Sequence, residues 1–444
     1  MLPETLNLDE VVTSQKDHKA RLYPLRFAVG AGVFFANINS AILWATYASV
    51  TPTTAKFYNC SEWTINQLSL YVTLAFIPFA YPSMWVLDTW GLRAATLIGT
   101  WGAVLGALIR YLSFLAPTSG RLPMLFAGQI LVGIANPFTL NSPPKVCALW
   151  FGERERLTAN TVMSLALYAG TAVVLAVAPA IVKGDPENVN TLNLVTFIVC
   201  LVLGLTSFFV YDKPATPPSK SAEETSLPFM EGLKNILTNW QFWLMFVVFG
   251  VVNGVFETYI TLISDYIVPY GYTETDAGTL GVITIGTGTV SSLLLGVLLD
   301  RSKQHRIYLK LLCGVMLLGV TGVYFTASNV ERKSFLFLST AVMGAGGFPL
   351  TPIALELGVE CTHPVGEGTS GTLLHLSAQI SGIVILVVSN ALRTENGELG
   401  NALIWLCACS GLVCVVAPFY NAPNRRMELE ALGNSSASTF ITTD

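Results

Sequence analysis

The stretch GVVNGVFETYITLISDYIVPYGY, residues 250–272, is an apolar run with a carboxylate, Glu257, in it. A charge at membrane depth costs at least ~2.5 kcal/mol on insertion scales, so such a group is a functional candidate by default. Glu257 belongs to a polar stripe, Gly250, Asn253, Glu257 and Thr261, spaced 3, 4 and 4. Three other apolar runs carry similar stripes: Asn37, Ser40, Trp44 and Tyr47; Ser164, Tyr168 and Thr171; His375, Gln379 and Gly382. At these spacings each set shares one helix face. An aromatic face attracts an ammonium group, and a carboxylate supplies the counter-charge. Trp44, Tyr47, Tyr168, Asn37, Asn253, Glu257, His375 and Gln379 are therefore the candidate substrate-binding residues. Glu257 fits two roles, counter-ion to a cation or proton carrier. The counter-ion role is expected, because no second carboxylate is read near it to form a relay. Glu257 is expected to face a water-filled cavity between spans 1 and 7.

The rest of the chain must hold these stripes in a bilayer. Of 444 residues, 52% are hydrophobic and only 12% charged, against about 25% charged in an average soluble domain. Mean hydropathy is +0.58. The chain reads as an integral membrane protein. A net charge of −4 without basic clusters argues against nucleic-acid binding. No HExxH, no GxSxG and no paired intramembrane aspartates occur, so no enzyme is expected. Neither a metal site nor a cofactor is expected: the CAC pair at 407–409 puts its thiols on different helix faces. The polar N-terminus lacks the apolar core of a signal peptide.

Apolar runs long enough to span recur at about 25–49, 65–86, 92–115, 122–147, 157–182 and 191–211. After a Pro/Ser-rich linker they recur at about 240–267, 277–299, 307–327, 334–359, 369–392 and 399–419. The expected organisation is a cytosolic tail (1–24), a six-helix half (25–211), a cytosolic linker (212–239), a second six-helix half (240–419) and a cytosolic tail (420–444). The halves repeat. Asp88 and Asp300 follow spans 2 and 8, 300 − 88 = 212; Glu155 and Glu367 open spans 5 and 11, 367 − 155 = 212; Gly170 and Gly382 differ by 212 as well. One shared offset is the mark of an internal duplication. The fold class is thus all-α, with twelve transmembrane helices in two halves related by a pseudo-two-fold axis.

If both termini are cytosolic, seventeen of the 24 Lys and Arg fall on the inner side, and Lys56, Arg110, Arg121, Lys183, Arg332, Lys333 and Arg393 on the outer. The excess of inner cations favours that orientation. WVLDTWGLR (85–93) makes a tight turn in which Asp88 can accept from a neighbouring helix N-terminus and Arg93 can pair across the inner face. GERERLTAN (152–160) adds Glu155 and Arg156, and GVLLDRSKQHR (296–306) adds Asp300 and Arg301. In ALELGVECTHPVGEGTSG (354–371), Glu356 and Glu360 lie i, i+4 on one face, and Glu367 sits near the next helix N-terminus. These residues are the candidate gating set.

The tight loop WVLDTWGLR resembles motif A of the major facilitator superfamily. NSAILWATYASV, WVLDTWGLRAATLIG, NSPPKVCALWFGERERLTAN and ELGVECTHPVGEGTSG together resemble solute carrier family 49, named for the feline leukaemia virus subgroup C receptor. Within it, the branch of major facilitator domain-containing protein 7 is the nearest in pattern. The resemblance implies an alternating-access transporter of small organic molecules, with choline, ethanolamine, haem or pyridoxine as the substrate class. It also implies that Trp44 takes the place of a cation-binding tryptophan and Gln379 that of a cavity glutamine. Tyr168 stands where choline-carrying relatives have a second glutamine, and Glu257 where they have a tyrosine, so a different amine is admitted. The expected partners are a small-molecule substrate and the bilayer, with the chain as a monomer. The expected membrane is the plasma membrane or an internal, vacuolar or lysosomal one. A transporter-like receptor without flux is the alternative.

Overall fold

A computed structural model describes residues 23–214, 229–302, 304–362, 367–394 and 399–422. Twelve helices are long and apolar enough to cross a membrane. In hydrocarbon every backbone polar group must be bonded internally, so runs of this composition form helices. The first half contains α1 (Leu25–Ala45), α2 (Glu62–Thr89), α3 (Leu92–Leu112), α4 (Thr118–Leu140, continued by Ser142–Trp150), α5 (Glu153–Val182) and α6 (Asn188–Gly204). The second contains α7 (Trp240–Thr261), α8 (Glu274–Ser302), α9 (His305–Ala327), α10 (Lys333–Gly347 and Leu350–Thr362), α11 (Glu367–Ala391) and α12 (Gly400–Val416).

The repeat is visible in the helix ends. α2 and α8 begin 212 apart, at Glu62 and Glu274; α6 and α12 both begin and end 212 apart. Asp88 and Asp300 accordingly lie in the last turns of α2 and α8, at the end of the bundle where α1 begins. That end is called here the termini side, and the opposite end the far side.

Helices α1 and α7 stop earlier than the apolar runs suggest. Each is followed by a short helix, Thr51–Tyr58 and Ile263–Ile267, whose starts are again 212 apart. Pro52 explains the first break. It has no N–H, so the carbonyl of residue 48 loses its helical donor. That carbonyl instead accepts the Ser264 hydroxyl of the other half at 2.8 Å. Helix α10 breaks at Phe348 and Pro349 for the same reason.

The halves meet mainly through α5 against α8 and α2 against α11. Gly278 of α8 has no room for a Cβ, because the Leu175 carbonyl of α5 occupies that space. Bonds from Thr53 to Glu274, Asn66 to Asp265, Thr73 to Glu257, Ser264 to Ala48 and Arg393 to Glu62, and the ring contact of Tyr168 with Phe348, join the two halves at mid-depth or on the far side.

Candidate functional site

Two of the eight candidate binding residues, Tyr168 and Glu257, contact the opposite half. Trp44, Tyr168, Asn253, Glu257, His375 and Gln379 are all part-buried. Trp44 is the last residue but one of α1, and its carbonyl accepts the Ser69 hydroxyl of α2 at 3.2 Å. With Tyr168 it packs against a core cluster that contains residues of both halves. Tyr168 meets Phe348 across the seam, ring centroids 4.8 Å apart. The break in α10 puts Phe348 there, where it also touches Phe256 at 4.9 Å. Phe256, the repeat mate of Trp44, therefore turns into its own half. His375 packs edge-on against Phe249, centroids 5.4 Å apart. Asn253 donates to the Phe249 carbonyl at 2.8 Å and accepts from Thr351 at 3.4 Å.

Glu257 does not sit between spans 1 and 7 as the stripes suggest. Its carboxylate accepts the Thr73 hydroxyl of α2 and lies against Gly382 of α11. With no Cβ, Gly382 lets the carboxylate lie directly against α11. The carboxylate thus closes the far-side end of the polar seam with a bond from one half to the other.

Asn37 and Tyr47 are buried within the first half, 2% and 4% exposed. Asn37 donates to the Val33 and Thr139 carbonyls at 3.0 and 3.3 Å. Tyr47 donates to Asn193 at 2.6 Å, and Asn193 donates to Tyr58 at 3.1 Å. These bonds hold α1 to α4 and α6. The stripe through Trp44 is wide enough that its edges touch neighbouring helices rather than the seam.

Arg110 corrects the sequence count of outer cations. It is 1% exposed inside the first half. Its Nη1 donates to the Leu43 carbonyl at 3.0 Å and to Gln129 at 3.1 Å, and Gln129 donates to the same carbonyl at 3.2 Å. The guanidinium lies 4.7 Å from the Tyr47 ring centroid. Leu43 stands in the last turn of α1, where the helix dipole favours a cation. Arg110 and Gln129 therefore fix the end of α1 one residue before Trp44.

On the far side the halves are tied by charges that the sequence stripes missed. Arg393, just beyond α11, bonds Glu62 at 3.0 Å and pairs with Asp265. Asn66 donates to the same Asp265 carboxylate at 2.8 Å. Asp265 is the next carboxylate along the chain, eight residues after Glu257. It lies beyond the spanning part of α7. Burial pushes its carboxyl up to about 6, and Arg393 opposes the rise. A mirrored contact joins Glu274 to the Thr53 amide at 3.0 Å. The repeat relates the two, since Glu62 and Glu274, and Thr53 and Asp265, are each 212 apart. Where Asp265 stands in the place of Thr53, Arg393 bridges the two carboxylates and offsets one of their two charges.

The gating residues of the sequence fall elsewhere. Glu155 pairs with Arg26 at 3.0 Å within the first half, not across the seam. The Arg93 guanidinium lies 5.2 Å from the Tyr211 ring centroid, also within that half. The Arg93 amide donates to Asp212 at 2.8 Å, so Asp212 does for α3 what was expected of Asp88. Gly91, at φ +94°, makes the turn beside it. Glu356 and Glu360 do not share one environment: Glu356 is exposed and Glu360 buried. The side chains of Asp88, Arg156, Asp300, Arg301 and Glu367 lie outside the described residues. Among the described residues no cluster of His, Cys, Asp and Glu could hold a metal ion.

Residues 32–386 match the family pattern of the Major Facilitator Superfamily. Solute carrier family 49 member A3 of Xenopus tropicalis is 28% identical over 95% of this chain and 92% of its own length. The choline/ethanolamine transporter FLVCR1 of Mus musculus is 30% identical over 88% of this chain and 74% of its own length. The chain belongs to the major facilitator superfamily, solute carrier family 49. Among solved structures, a D-xylose-proton symporter superposes with a TM-score of 0.67 at 15% identity, covering 90% of this chain and 98% of that one. The Major Facilitator Superfamily transporter FucP, in its outward conformation, gives 0.63 at 12% identity, over 91% of this chain and all of that one. At these identities they show a shared fold.

Proposed function

We propose that this transporter carries a small organic amine or cation by alternating access, with substrate held between Trp44, Tyr168, Asn253, Glu257, His375 and Gln379. The observation that carries the reading is Glu257, a carboxylate placed in the seam between the halves and in a spanning helix. Its surroundings are aromatic and neutral-polar, which suits an ammonium group. Relatives named for choline and ethanolamine transport point the same way. Glu257 acts as counter-ion, and the ring of Trp44 supplies a cation-π face. The far-side charges form a closed gate on that side of the site. Both termini face the cytosol. The excess of Lys and Arg on that side supports this, more so now that Arg110 leaves the outer count.

A thermal-shift panel on the purified chain tests the substrate class, since a ligand bound at 100 times its Kd stabilises by about 2.7 kcal/mol. Primary and quaternary amines should raise the unfolding midpoint, and neutral vitamins and haem should not. Trp44→Ala should weaken the bound amine by about 1–2 kcal/mol, and Trp44→Phe by less. Stabilisation by neutral compounds alone, or equal affinity in Trp44→Ala, would remove the cation from the reading.

A further inference from the structure

At the termini side, α1 and α5 enclose a cleft of about 490 Å³ lined by Phe27, Phe34, Phe35, Phe151 and Met163. That volume lies within the usual range of ligand pockets, ~300–1,000 Å³. The cleft looks outward. On α5, Val162 lines it and shares a helix face with Val173 and Val177, all three at least 41% exposed. The opposite face of α5 carries Tyr168 and Leu175, which meet the second half. An exposed apolar face on a spanning helix turns to hydrocarbon, so this cleft opens to lipid rather than to the seam.

Two charges stand at its mouth. Arg26 is the second residue of α1 and Glu155 the third of α5, so both lie at headgroup level. They differ in depth: the Arg26 side chain is 12% exposed and that of Glu155 47%. Arg26 lies over the Phe27 ring, 4.7 Å from its centroid, and its Nε is buried without a hydrogen-bond partner. A buried donor left unpaired is costly and asks for an acceptor. The mouth therefore holds both signs of charge, Glu155 lining the cleft and Arg26 paired to it at 3.0 Å. A zwitterionic glycerophospholipid brings the complement of all three features: an acyl chain for the cleft, a phosphate for Arg26 and an ammonium for Glu155.

We propose that this cleft binds one zwitterionic glycerophospholipid from the termini-side leaflet, with an acyl chain among the phenylalanines, its phosphate at Arg26 and its ammonium at Glu155. The site is separate from the substrate seam and stands whether or not the substrate is an amine. Bound lipid would brace α1 against α5, the two helices that carry Trp44 and Tyr168.

Native mass spectrometry of the delipidated full chain, titrated with phosphatidylethanolamine or phosphatidylglycerol, tests this. The wild type should retain one phosphatidylethanolamine and prefer it to phosphatidylglycerol. Ala31→Trp and Ala159→Trp, which fill the cleft, should each lose that adduct. Arg26→Gln, which leaves the cleft open, should weaken it about tenfold through loss of the charged donor. Unfolding midpoints without lipid serve as the control for folding. Equal retention by the filled variants, equal binding of the anionic lipid, or a second copy of the chain occupying this face would overturn the proposal.

Discussion

Glu257→Gln should weaken binding of an organic amine at least about thirtyfold while leaving a neutral analogue unchanged. The lower bound follows from the ~2 kcal/mol lost when one partner of a buried charge pair is truncated. Glutamine keeps an oxygen for the Thr73 hydroxyl, so the bond between the halves survives and the fold is spared. The substitution removes charge and little else. Equilibrium binding at fixed pH reads this effect directly. If pH-driven accumulation vanishes while amine affinity and exchange persist, Glu257 carries a proton instead. If neither affinity nor pH dependence moves, the residue is structural and the amine reading loses its main support.

Arg393→Ala should open the far side. Above its closed-state pKa, which loss of Arg393 raises further, Asp265 would remain 0% exposed and ionised with its cation gone. Removing one member of a buried ion pair costs about 3–5 kcal/mol, and every 1.4 kcal/mol is tenfold in population. The closed state would lose a factor of about 100 or more. Ser264→Cys reports the change, because Ser264 is buried at the contact with Ala48. Its reaction with a membrane-impermeant thiol reagent from the far side should accelerate by that factor. Adding Asp265→Asn should slow it again, since no charge is then buried. Acid should act in the same direction. Asp265 is raised in the closed state by burial, and loss of Arg393 removes the main opposing influence. A carboxyl raised on closing favours closure as pH falls, and loses that advantage as pH rises through its closed-state pKa. Equal labelling rates with and without Arg393 would show that the far-side charges do not hold the halves together.

The helices were legible because a spanning run needs about twenty apolar residues and little else. The duplication was legible because acidic residues at helix ends are few, and three anchors shared one offset. The same offset relates Glu62 to Glu274 and Thr53 to Asp265, so half of the far-side gate could have been found by extending the comparison. Arg393 could not, because its partners are 128 and 331 residues away and only packing brings them together. Arg110 was misplaced because it lies near the end of its span, where hydropathy cannot tell an arginine reaching outward from one folded inward. Asn37 and Tyr47 were placed with Trp44 by spacing, yet α4 and α6 claim them. A stripe marks a face of a helix, and the neighbours decide which part of that face meets the seam. The breaks after α1 and within α10 were hidden for a related reason. The first apolar run continues past the end of α1 to about residue 49, apolar residues flank Pro349, and hydropathy does not register a missing N–H.

The most direct measurement is uptake of radiolabelled ethanolamine and choline by proteoliposomes that contain only the purified chain. Saturable uptake above empty liposomes, accelerated by unlabelled amine on the opposite side and depressed by Glu257→Gln, is the predicted result. Saturable amine binding without flux would contradict alternating access and leave a receptor in its place.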